Sequence, residues 1–119
     1  MSKSKGTGIL AKEFAELCDP ETLRYYFAAK LNDKVEDIDL NFEDYVKRIN
    51  SDLVGKYLNI ASRCSSFIEK NSNALSSTFD NELIEKAINQ KEAIEACFES
   101  RNYSKAVRLI MDIADLTNK

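Results

Sequence analysis

The chain has no histidine and no tryptophan among its 119 residues. Without an imidazole it lacks the commonest general base, the usual zinc ligand and any Ser-His or Cys-His dyad, so self-contained enzymes of those classes are excluded and no metal site is expected. Glycine and proline are scarce, at 3 and 1, which disfavours collagen-like and loop-rich scaffolds. The three cysteines, Cys18, Cys64 and Cys97, are odd in number, widely spaced and form no C-x-x-C pair. They are expected to be reduced, buried thiols that pack as small hydrophobes. No apolar run approaches the roughly 18 residues that a membrane helix needs, and the start lacks the apolar stretch of a signal peptide. A cytoplasmic location without membrane contact is therefore expected. Lysine and arginine number 17 against 20 aspartates and glutamates, a net charge of -3, so the molecule as a whole has no general attraction for phosphate backbones. Any RNA binding must be local.

Apolar residues make up 44% and charged residues 31%, a composition that supports one soluble, mostly helical domain with its own core. Residues 1–8 are small, polar and basic, the composition of a loop. From Ile9 onward Leu10, Phe14 and Leu17 follow a helical spacing that halts at Cys18-Asp19-Pro20. Asp19 is suited to cap a second helix, with Pro20 in its first position and Glu21 near the positive end of the dipole. That helix presents Leu23, Phe27 and Leu31 and is predicted to reach about Asn32. Val35 to Leu40 partly alternates apolar and acidic residues, which predicts a short extended segment closed by Asn41 as an N-cap.

Beyond Asn41, Phe42, Val46, Ile49, Leu53, Tyr57, Ile60, Cys64 and Phe67 recur every three or four residues. The spacing predicts a long amphipathic helix with one continuous buried stripe, including Cys64. Asn71 to Ser77 reads as a linker. Leu83, Ile84, Ala87, Ile88, Ile94 and Phe98 predict another helix, and Asn102 is placed to cap a last one carrying Tyr103, Val107, Ile110 and Ala114. The expected fold is mainly α: an antiparallel helical bundle over 42–119, preceded by a small α+β connecting segment over 1–41. The last period is still running at Lys119 and the first motif starts at Met1, so a longer natural polypeptide is expected.

Several short motifs, taken together, carry a resemblance. Met1-Ser2-Lys3-Ser4 is followed by Lys5-Gly6-Thr7, then by Arg24-Tyr25-Tyr26, Val35 to Asn41, and Asn50-Ser51-Asp52-Leu53-Val54-Gly55-Lys56. Asn59-Ile60-Ala61-Ser62-Arg63 comes next, and Ala106-Val107-Arg108 and Ala114-Asp115-Leu116 complete the series. With only Ser65 to Glu95 neutral, this pattern resembles the class I methionyl-tRNA synthetases. The resemblance implies that Met1, Ser2, Lys3 and Ser4 belong to that family's Lys-Met-Ser-Lys-Ser loop, which holds ATP while methionine attacks the α-phosphate. Lys3 then matches the lysine that meets charge developing on the leaving pyrophosphate, and a flexible ammonium suits phosphate oxygens. The partner His-x-Gly-His signature cannot occur in a chain without histidine. The segment alone is therefore expected to be inactive and to hold no cofactor, with ATP and methionine bound by the longer parent.

The same resemblance implies that Asn59 and Arg63 contact anticodon bases. They are i and i+4 on the long helix and so lie side by side, flanking the predicted apolar stripe. Asn offers a donor and an acceptor to a base edge, and Arg a planar fork that hydrogen-bonds or stacks. The family's anticodon-stacking tryptophan is not in this chain, so binding to methionine tRNA is expected to be weak for the segment by itself. Asp52 is expected to form a surface ion pair and is placed to orient Lys56, four residues on. Tyr25 and Tyr26 point about 100° apart and are expected to pack on the long helix; Arg24 faces either phosphates or an acid such as Asp39. The alternative to a ligase segment is a free-standing helical adaptor that binds protein or RNA without catalysis.

Overall fold

A computed structural model of the chain describes residues 9–71, 77–78 and 80–119, and all described secondary structure is helical. Helix α1 spans Ala11–Leu17 and α2 Pro20–Ala28. A single long rod follows, made of α3 (Phe42–Arg48), a π-helical segment (Ile49–Leu58) and α4 (Asn59–Lys70). Then come α5 (Asn81–Asn89), α6 (Lys91–Glu99) and α7 (Tyr103–Thr117). The mainly α expectation holds.

The helix starts follow local chemistry. Asp19 Oδ1 accepts the Glu21 N–H at 2.8 Å, with Pro20 behind it. Asn41 accepts from Asp44 at 3.0 Å and Asn102 from Lys105 at 3.3 Å, so all three expected caps satisfy N–H groups that the helix itself cannot. Asp80 does the same for Leu83 at 3.0 Å. Helix α2 ends at Ala28, earlier than the apolar period suggested. Val35 to Leu40 forms no strand; it has no neighbouring strand to pair with among the described residues, and Val35 is fully exposed.

Phe14 of α1, Tyr26 of α2 and Tyr45 of α3 form the first core cluster, with Tyr45 meeting the other two rings edge-on at 5.4 and 5.5 Å. Hydroxyl bonds latch α2 to the long rod. Thr22 and Tyr45 share one at 2.5 Å, Tyr26 donates to Asp44 at 3.0 Å, and Tyr25 donates to Asp52 at 2.9 Å. Both tyrosines thus pack on the long rod as expected. Helix α7 is the central element of the remainder, touching α2, α5, α6 and the π segment. Ala106, Met111 and Ala114 form its buried surface, and Cys97 is the buried residue of α6. The long rod runs up, α5 and α6 run down and α7 runs up, because Arg48 neighbours Ser104, Lys56 pairs with Asp115, and Leu83 lies beside Leu116.

The long stripe needs correction. Among its expected members Val46, Tyr57, Phe67 and Cys64 are exposed, and the buried residue of α3 is Tyr45. Phe42 and Val46 lie in α3, ahead of the π segment, where Tyr45 takes the inward position instead. Tyr57 lies inside the π segment, whose i→i+5 hydrogen bonds hold more residues per turn than a 3.6-residue period assumes. Cys64 and Phe67 stay with Ile60 on an open cavity at the end of α7, which leaves them uncovered. Gly55 sits inside the π segment, where a Cβ would stand 3.2 Å from the Asn50 carbonyl. The cysteines are free thiols as expected, but only Cys97 is fully buried, Cys18 being half-buried and Cys64 exposed. The predicted helix over Leu83 to Phe98 is interrupted at Gln90, and its inward row is Leu83, Ala87, Gln90, Ile94 and Cys97, leaving Ile84, Ile88 and Phe98 outside.

Arg101 ends α6 in the left-handed region at φ 60°. Its N–H reaches Phe98 O at 3.0 Å and the Asn102 N–H reaches Cys97 O at 2.8 Å, the paired bonds of a Schellman turn. A Cβ in this conformation costs about 1–2 kcal/mol, part of which glycine returns as unfolded-chain entropy. Arg101→Gly should therefore raise stability by about 0.5–1 kcal/mol, read as a higher urea midpoint. A lowered midpoint would contradict this account of the turn.

Candidate nucleic-acid interface

Asn59 opens α4 and Arg63 follows one turn later, so the helix sets the two side chains on one face. The end of α7 meets that face. Asn59 Nδ2 donates to Asn118 Oδ1 at 3.3 Å, and the Arg63 guanidinium donates to the Asn118 carbonyl. Asn118 Nδ2 in turn donates to Lys56 O and to Ala114 O, both at 3.0 Å. One residue, Asn118, thereby ties Lys56 and Asn59 through its side-chain amide and Arg63 through its main-chain carbonyl to the end of α7, fixing which side of α4 Asn59 and Arg63 present. Arg63 is exposed and spends only part of its guanidinium fork on Asn118, and the Asn59 amide keeps its oxygen for another partner. Beside them opens a cavity of about 270 Å³ with Ile60, Cys64 and Phe67 on its walls and Arg63 at its edge. Apolar walls with a planar cation beside them suit an unpaired base, which stacks and hydrogen-bonds at once.

Lys56 pairs with Asp115 at 2.6 Å, a contact that raises the ammonium's pKa above its ordinary value. The expected orienting role of Asp52 toward Lys56 is therefore corrected. Asp52 accepts from Tyr25 at 2.9 Å and from Ser51 at 2.9 Å, with Arg48 at 3.6 Å. Asp52 and Lys56 do not pair because each has another partner, Lys56 on α7 and Asp52 on α2 and at the start of the π segment. Asp115 and Asn118 were not singled out by their chemistry in the sequence. Each lies 59 residues from its partner on the long rod, and neither belongs to a local pattern with it.

Burial, and then the bond to Asp52, push the Tyr25 phenol upward. An unfolded tyrosine loses its proton at about pH 10, whereas the folded one keeps it to higher pH. Above that pH the unfolded state binds fewer protons, so folded stability falls as pH rises. Lys56, with its raised pKa, acts in the same sense: its contribution is full below the unfolded value and is lost as pH climbs through the folded one. Tyr25→Phe should flatten the alkaline fall in urea midpoints above about pH 10. An identical slope in wild type and variant would show that folding does not raise the Tyr25 pKa.

Met1, Ser2, Lys3 and Ser4 lie outside the described residues. Arg24 is exposed on α2. Among the described residues no group of acids and cysteines is placed to hold a metal ion, and no helix is long and apolar enough to cross a membrane.

Residues 1–65 match the family described as tRNA synthetases class I (M), and the chain belongs to that family. It is 55% identical, over its whole length, to the methionine-tRNA ligase of Neisseria meningitidis serogroup B, and 54% identical to the ligase of serogroup A. In both cases it spans 18% of the relative's length.

Proposed function

We propose that this chain is the part of a methionine-tRNA ligase that links the catalytic domain to the anticodon-binding domain and supplies part of anticodon recognition. The parent attaches methionine to its tRNA using ATP, in the cytoplasm. Residues 1–41 serve as the ATP-loop remnant and connecting segment, and residues 42–119 as part of the anticodon-binding bundle. The observation that carries the reading is the Asn59–Arg63 pair, held by Asn118 on the outer side of α4 and still able to hydrogen-bond. Identity of 55% and 54% to two methionine-tRNA ligases, over the length of this chain, supports it.

In the parent, a carboxylate oxygen of methionine attacks the α-phosphorus of ATP and pyrophosphate leaves. Lys3, within Met1 to Ser4, meets the charge that grows on that leaving group, where a positioned cation lowers the barrier most. Asn59 and Arg63 act at the other end, on the unpaired bases of the tRNA loop. Alone, the segment is inactive, holds no ATP and binds methionine tRNA weakly.

Exchanging this segment for the matching stretch of the Neisseria ligase tests the reading. The hybrid should fold and charge methionine tRNA with a kcat/KM within about tenfold of the parent, a change of about 1.4 kcal/mol in the barrier. A folded hybrid that activates methionine but fails to charge tRNA would contradict the assignment.

A further inference from the structure

Helices α5 and α6 keep one helical register across Gln90, whose backbone stays in the right-handed region at φ -85° and ψ -12°. Their inward row, Leu83, Ala87, Gln90, Ile94 and Cys97, advances by four and three residues in turn, and both helices contact α7. The row one residue further on, Ile84, Ile88, Lys91, Glu95 and Phe98, advances identically and forms a second seam beside the first. This seam is open: Ile84 is 42%, Ile88 61% and Phe98 48% exposed.

The charges at its centre are loosely used. Lys91 and Glu95 lie 3.8 Å apart, with side chains 70% and 63% exposed. An exposed i, i+4 pair of this kind contributes little to its own helix, and its members are free to exchange partners. The row is also complementary to itself in the opposite direction. Ile88 lies three residues before Lys91 and Phe98 three after Glu95, so an antiparallel second copy that sets Lys91 against Glu95 also sets Ile88 against Phe98. A two-fold axis repeats both contacts in reverse. Ile84, one turn before Ile88, then comes to the ring pair of Phe98 and Tyr103, whose centroids are 5.9 Å apart.

We propose that this seam is a self-association surface, on which α5 and α6 of a second copy pack antiparallel, with Lys91–Glu95 pairs crossing between copies and Ile88 seated against Phe98. The inference is independent of the tRNA-binding reading. Each copy brings only three exposed apolar side chains to the seam, and Glu92 and Glu99 on its outer edge repel their counterparts. The contact therefore belongs at the weak, transient end of protein interfaces, with a Kd on the order of 100 μM.

Sedimentation equilibrium of the chain tests this, over concentrations from about 10 μM to about 1 mM, across which the wild type should pass from monomer toward dimer. Lys91→Glu and Glu95→Lys should each weaken dimerisation by about tenfold, because the two-fold axis turns two attractive pairs into two repulsive ones. An equimolar mixture of these two variants should recover it, since each then meets the opposite charge on the other. Mixing does not act on a pair within one chain, so recovery identifies a contact between copies. Ile88→Gln removes apolar contact and should weaken dimerisation by a similar factor, with circular dichroism as the folding control for all three variants. A wild type that stays monomeric at about 1 mM would overturn the proposal. So would a dimer that none of the three substitutions weakens, or a mixture that recovers nothing.

Discussion

Tyr26→Ala is expected to cost about 3–5 kcal/mol of folding stability, the range for emptying a buried aromatic site. The ring is fully buried, meets Tyr45 edge-on at 5.5 Å and Phe27 at 5.7 Å, and lies 4.5 Å beneath the Lys30 ammonium. Its hydroxyl donates to Asp44 at 3.0 Å and receives the Asn41 N–H at 3.4 Å, so the residue also ties α2 to the cap of α3. Lys30 reaches the same carboxylate at 2.6 Å and holds its pKa below the usual range. Tyr26→Phe separates the two contributions: it keeps the ring and loses only the hydroxyl bonds, for a cost of about 1–2 kcal/mol. Urea denaturation of both variants decides the matter. A loss below about 1 kcal/mol for Tyr26→Ala would mean that this cluster is not the core joining the connecting segment to the long rod.

In the full-length ligase, Lys3→Ala should slow formation of methionyl-adenylate on the order of 100-fold, comparable to removing one charge-stabilising donor from a transition state. Methionine affinity should change far less, because the charge that the ammonium meets is largely absent in the ground state. Methionine-dependent exchange of pyrophosphate into ATP, with methionine binding measured separately, resolves the two effects. Equal losses in rate and affinity would contradict the role given to Lys3.

What was legible in the sequence is what short-range chemistry decides. Asp19, Asn41 and Asn102 cap helices because each needs only the two or three residues after it, and those are adjacent in the chain. Tyr25 and Tyr26 could be placed against the long rod because adjacent helical positions diverge by about 100°, which forbids a shared stacking platform. The π segment was illegible from periodicity. Its angular step differs from the one used to read the stripe, and periodicity likewise gives no sign that Cys64 and Phe67 face an open cavity at the end of α7. The break at Gln90 has no glycine or proline to announce it. In the candidate site, the Asn59–Arg63 pair was singled out by the family resemblance; helical spacing adds only that its members lie side by side. Its support from Asn118, and the pairing of Lys56 with Asp115, depend on tertiary contacts spanning 59 residues and leave no spacing to detect.

The central claim is that Arg63 reads a base on a face of α4 fixed by Asn118. Its most direct test compares wild-type and Arg63→Ala full-length ligase for binding to methionine tRNA and to a tRNA with an altered anticodon. The account predicts a loss of about 1–3 kcal/mol for the cognate tRNA, comparable to one stacked base, and a smaller difference between the two tRNAs. If both tRNAs weaken alike and the salt slope becomes shallower, Arg63 meets phosphate instead of a base, and the claim is contradicted.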